Sequence, residues 1–89
     1  MIQIFRLDGM WIISEVDEIP NQGFGEPDTV LKYPYEINGA GGWKDMTQFP
    51  PFSTDRKEIV IRSSDVLVTS EVTDDIKVQY YNKRKEETE

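Results

Sequence analysis

The sequence predicts a mainly β domain: five short strands bent into a small barrel, then one C-terminal helix, with no helix at the N-terminus. Three observations carry this. Five runs rich in β-branched and aromatic residues follow one another, separated by Gly, Pro, Asn and Asp. These runs are too short and too few for a broad sandwich, but they suffice for a strongly bent barrel. The C-terminal stretch then changes character, with helix-start residues followed by apolar positions at helical spacing.

The first strand is expected over about 2–7, where Ile2 and Ile4 alternate with Gln3 and Phe5. Asp8-Gly9 is a tight-turn pair. The second strand, about 10–19, reads MWIISEVDEI. Neither of its faces is uniformly apolar, which suits a strand that bends and changes environment midway. Pro20 to Asp28 is a Pro/Gly-rich loop. The third strand, about 29–37, contains Pro34, which cannot donate to a ladder, so this strand is expected to be bulged or partly an edge. Residues 38–57 read as the longest irregular segment, and loops of that length are often functional. Strands four and five follow at about 58–62 and 66–71. The helix, about 74–86, begins with Thr73 and Asp74 as cap types and ends with Lys83, Arg84 and Lys85, which complement its dipole.

The 89 residues amount to one small domain, 1–89. A domain of this size is marginal alone and usually gains support from disulfides, metals or self-association. There is no Cys and no His, so disulfides and a zinc site of the usual kind are excluded, and self-association is favoured. No stretch approaches the roughly 20 apolar residues that span a bilayer, and MIQIFRLDG lacks the features of a signal peptide. The expectation is a cytoplasmic protein, in the host cytoplasm if it is viral, with no membrane partner.

Chemistry is constrained further. Without His, catalysis by a nucleophile and histidine is impossible. The glycines before Trp43-Lys44 do not form a phosphate-cradling loop. An enzyme is not expected, nor a cofactor. Glu15 and Asp17 share a strand face that can hold Mg²⁺ weakly, but with the carboxylate surplus a solvated acidic face is the favoured reading. The net charge of −7 disfavours polyanions as partners. Residues 1–40 hold two basic and seven acidic residues, and residues 41–89 eight and ten, so any nucleic-acid site must be a local basic one.

The stretch Ile59 to Val68, IVIRSSDVLV, joins two apolar strands through Arg62-Ser63-Ser64-Asp65 with neither Gly nor Asn, the wrong chemistry for a tight hairpin. It resembles the second sequence motif of Sm-like proteins: an apolar strand, an Arg-Gly pair, two polar residues and another apolar strand. Ser63 stands where that motif has Gly, and the family's first motif is matched only weakly by Asp8-Gly9 and Ser14 to Asp17. The acidic, His-free composition with a strand starting at the first residue also resembles Sm-like proteins found in marine phages. The resemblance implies a single helical-type turn at the joint and a strongly bent Sm-like (SH3-like) barrel. It also implies a homo-oligomeric ring of about five to seven subunits, a pentamer as first guess, in which strand four of one copy pairs with strand five of the next. A monomeric SH3-like barrel shares the five bent strands and stays open as an alternative.

On that resemblance, Arg62, Ser63 and Ser64 face a pore and bind single-stranded RNA, or DNA, with Gln22 and Phe24 after strand two as the base-contacting residues. Each has a plainer reading. Arg62 can pair with Asp65, the serines can satisfy the turn's own backbone, and a loop aromatic more often packs on its own barrel. The competing function is a structural or protein-interaction barrel, such as a phage assembly component, docking a protein through Trp43, Phe49 and Phe52. Core cover or a subunit contact is the favoured reading of those aromatics.

Overall fold

The computed structural model describes residues 1–20, 23, 25–37, 46–50 and 55–88. Its strands are β1 (Ile2–Leu7), β2 (Met10–Glu18), β3 (Thr29–Ile37), β4 (Met46–Gln48), β5 (Ile59–Ile61) and β6 (Val66–Glu71), followed by helix α1 (Asp74–Thr88). All pairings are antiparallel, in the order β4-β3-β2-β1-β6, with β5 also on β3. Two expectations need correction. The segment 38–57 is not wholly irregular, because β4 lies within it and gives the sheet six strands. The sheet is also open, not a closed barrel: β6 pairs with β1 and β5 with β3, and no ladder joins β5 to β6. The turn between them sends the chain to opposite ends of the strand order instead of folding it back into a hairpin.

Pro34 decides the shape of β3. The register with β2 slips between Ile13 and Glu15, which face Tyr35 and Lys32, so Tyr33 and Pro34 together oppose Ser14. Tyr33 takes a left-handed conformation, φ 53°, which a bulky residue holds only under tertiary constraint. Beyond this bulge β3 changes partners. Thr29, Val30 and Leu31 pair with β5, and Tyr35, Glu36 and Ile37 pair with β4.

The bulge's backbone groups find partners outside β2: Tyr33 N–H donates to Arg56 O at 2.6 Å, Pro34 O accepts from Phe49 N–H at 3.2 Å, and two side chains complete the set. The buried Tyr80 hydroxyl accepts from Glu15 N–H at 3.2 Å and lies 2.8 Å from Lys32 O and 2.9 Å from Tyr33 O, to either of which it donates. Arg56, only 9% exposed, donates from Nη2 to Pro34 O at 2.7 Å and from Nη1 to Phe49 O at 3.0 Å. Its Nε meets Glu87 Oε2 near the end of α1 at 2.8 Å, and the Tyr35 hydroxyl donates to Glu87 Oε1 at 2.5 Å. The helix is thereby fastened to the bulge at two points, Tyr80 and Glu87.

Apolar burial is split between the two faces of the sheet. Beneath α1, Ile76 and Tyr80 pack on Ile2, Ile13, Tyr33, Tyr35 and Met46. On the other face, Phe5, Ile12 and Leu31 form a second cluster flanked by Leu7, Met10, Val16, Phe49, Ile59 and Val66. Ile12 and Ile13 serve opposite faces, and for this reason β2 shows no clean alternation. No helix among the described residues is long and apolar enough to cross a membrane.

Two outcomes are expected. Tyr80→Phe keeps the ring but strands the amide of Glu15 and the Tyr33 carbonyl, while Lys32 O keeps its bond from Ser14 Oγ. Urea unfolding should show a loss of about 1–3 kcal/mol, and an unchanged midpoint would contradict the satisfaction argument. The second concerns acid. Burial alone raises the Glu87 carboxyl, but the hydrogen bonds from Arg56 and Tyr35 outweigh it and hold the group below its ordinary value of 4.5. The unfolded chain therefore takes up this proton first as the pH falls. The stabilisation is complete above about pH 4.5 and is lost on descending through the lower folded value. Stability measured from pH 6 to pH 3 should fall less steeply in Glu87→Gln, and parallel curves would remove Glu87 from the acid response.

Candidate functional site

The joint between β5 and β6 is a one-turn 3-10 helix, Ser63–Asp65. Arg62 before it and Val66 after it are extended (φ −95°, ψ 126° and φ −87°, ψ 124°). Asp65 N–H bonds Arg62 O at 3.1 Å, and Val66 N–H bonds Ser63 O. The left-handed conformations among the described residues are at Asp8, Gly9, Gly25 and Tyr33, none of them in this joint. A joint of this kind has no need of Gly, and Ser63 fits without strain.

Asp28 clamps the joint from outside. Its carboxylate accepts from Ser63 N–H at 2.7 Å, from Ser63 Oγ at 2.5 Å and from Thr29 Oγ1 at 3.1 Å. The two Ser63 bonds hold its carboxyl below the usual range. Its backbone joins in, with Asp28 N–H to Ile61 O at 3.1 Å and Ile19 N–H to Asp28 O at 2.8 Å. One residue thus ties the end of β2, the start of β3 and the joint together. The 35-residue separation leaves no local sequence signal, and the hint was only an Asp-Thr pair opening a strand.

The proposed nucleic-acid residues fall as follows. Arg62 is half-exposed and bonds Asp65 Oδ2 through Nε at 2.9 Å. Ser63 is committed to Asp28, and Ser64 is exposed beside it on the turn. Gln22 and Phe24 lie outside the described residues, as do Trp43 and Phe52 of the aromatic loop. Phe49 is half-buried against the Phe5–Ile12–Leu31 cluster, so its ring serves the core. Glu15 and Asp17 do not act as a pair: Glu15 bonds Arg84 at 3.0 Å and Asp17 bonds Lys32 at 2.8 Å. Among the described residues no three metal-ligating side chains converge.

Around the joint the surface is apolar and its strands are unfinished. No described strand pairs with the outer edge of β5 or of β6. Val60, Leu67 and Val68 are 50%, 75% and 51% exposed. A cleft of about 270 Å³ opens beside the joint, lined by Phe5, Val16, Ile61, Ser63, Val66 and Leu67 among others. Free edges carrying apolar side chains invite pairing with another strand.

Removing the clamp should loosen the joint selectively. In Asp28→Ala, amide exchange at Ser63 and Asp65 should accelerate while the β1–β2 ladder stays protected. Uniform protection across both would mean that the turn holds itself.

A search of curated proteins found no match to this sequence. A family profile, described as a family of unknown function (DUF6561), matches residues 1–85 and so spans the whole sheet, the joint and most of α1. The chain belongs to the DUF6561 family.

Proposed function

We propose that the protein is a non-catalytic subunit of an Sm-like homo-oligomeric ring that binds single-stranded RNA, or DNA, at the joint between β5 and β6. The observation that carries this reading is the pair of unpaired strand edges on either side of a glycine-free 3-10 joint, with Leu67 and Val68 exposed on one of them. Pairing β5 of one copy with β6 of the next would cover both edges and their apolar side chains. Each added subunit would repeat Arg62, concentrating guanidinium groups on an otherwise acidic particle. The exposed Arg62–Asp65 pair is worth little in water, so a phosphate can displace Asp65 at small cost.

The second reading is a structural or protein-interaction module, such as a phage assembly component. The net charge of −7 and the carboxylate already on Arg62 favour it. Filter binding with single-stranded RNA at low salt separates the two, since a protein-docking module retains none.

Light scattering on a sizing column should give roughly 50–70 kDa for a closed ring of about five to seven chains, without a ladder of larger species. Leu67→Lys should reduce this toward the 10.3 kDa monomer while leaving the fold intact. Arg62→Ala should keep the ring and weaken RNA binding, with a shallower salt dependence. A wild-type monomer would remove the ring, and full-strength binding by an intact Arg62→Ala ring would move the RNA away from the joint.

A further inference from the structure

A second surface lies on the sheet face that α1 covers only in part. Arg6 stands in register between Trp11 on β2 and Val68 on β6, and Trp11 faces Ile37 on β3. These four form one row across adjacent strands, on the side where Ile2, Ile13 and Tyr35 pack under the helix. Two of the four stay open, Trp11 at 38% and Val68 at 51% exposed, while Arg6 and Ile37 are half-buried. The Arg6 guanidinium sits over the Trp11 ring, 5.3 Å from its centroid.

Its pairing separates Arg6 from the other arginines. Arg56 bonds Glu87, Arg62 bonds Asp65 and Arg84 bonds Glu15. Among the described residues, Arg6 bonds no carboxylate, on a chain with seventeen acidic residues. Its guanidinium lies over an aromatic ring and carries no carboxylate among the described residues. A guanidinium so placed, between the apolar Trp11 and Val68, is matched to a ligand having a flat apolar face and an adjacent anion. An unpaired nucleotide has both features. A peptide carboxylate uses only the donors and leaves the apolar row uncovered.

We propose that Arg6 and Trp11 form a second platform for single-stranded nucleic acid, on the opposite sheet face from the cleft beside the joint. An unpaired base stacks on the Trp11-backed guanidinium, and its phosphate takes the outer N–H donors. This rests on the nucleic-acid reading above but uses none of the joint residues.

The experiment is an anisotropy titration of a labelled ten-nucleotide oligo-U and its oligo-dT counterpart at low salt. It compares wild type, Arg6→Gln, Trp11→Leu and Arg62→Ala, each checked for unchanged mass and thermal unfolding. Arg6→Gln and Trp11→Leu should each weaken binding by roughly tenfold. Weakening by these two with Arg62→Ala unaffected supports the platform and overturns the joint, and weakening by all three supports both. Sensitivity to Arg62 alone overturns the platform and leaves the joint standing. No binding by wild type overturns both. Should either platform variant fail to fold, the wild-type chain decides: the Trp11 indole N–H resonance must shift on adding the oligonucleotide, and an unmoved resonance overturns the platform.

Discussion

The broken ladder at Tyr33–Pro34 is the constraint on which the rest of the structure depends. Proline removes a donor from the middle of β3, and the bulge that absorbs it turns Tyr33 to positive φ. The freed groups would cost several kcal/mol if buried without partners. They are met by Tyr80 and Arg56, which come from distant parts of the chain. Among the described residues no buried side-chain nitrogen or oxygen lacks a partner. The buried arginine is therefore a structural group: its guanidinium joins Pro34 O, Phe49 O and Glu87 in one network and lies 5.3 Å from the Tyr35 ring centroid.

That break also fixes what the sheet can offer to others. Because β3 changes partners at the bulge, β4 and β5 each pair with one end of it, and neither grows beyond three residues. Short β5 feeds the 3-10 joint, which delivers β6 to the far side of β1. The result is a sheet with free edges at β5 and β6, joined by four residues. The apolar exposure of Val60, Leu67 and Val68 follows from this topology and not from loose packing, since the clusters on both faces are well buried.

Much of the fold was legible locally. β3 and β6 occupy the spans that the Thr29 to Ile37 and Val66 to Glu71 patterns indicate, and Pro34 marked the bulge. The helix begins at Asp74, where its acidic first turn pointed. β4 escaped notice because three residues, MTQ, carry no periodicity, and only their register with Tyr35 to Ile37 makes them a strand. The open seam was equally invisible, because barrel closure depends on where β5 and β6 end in space. At the joint, the Arg-Ser-Ser-Asp chemistry argued only against a tight hairpin, the resemblance to the Sm-like motif implied a helical-type turn, and the clamp is Asp28, 35 residues away. Arg6 and Trp11 were read only as strand residues, since cross-strand stacking needs the register of the Asp8-Gly9 hairpin.

The acidity of the chain bears differently on its arginines. At physiological ionic strength a charge is felt over about 8 Å, so the overall −7 opposes an approaching polyanion mainly at long range and in dilute salt. Close to the surface the local pairings decide. Arg56 is locked in a buried network and Arg84 is held between Glu15 and the Tyr33 ring, so neither can be released without disturbing the helix. Arg62 and Arg6 are different. The former is held by one exposed carboxylate just after the free-edged β5, and the latter, on β1 one strand in from the free edge of β6, lies over a tryptophan. These two guanidinium groups can change partners at less structural cost than Arg56 or Arg84.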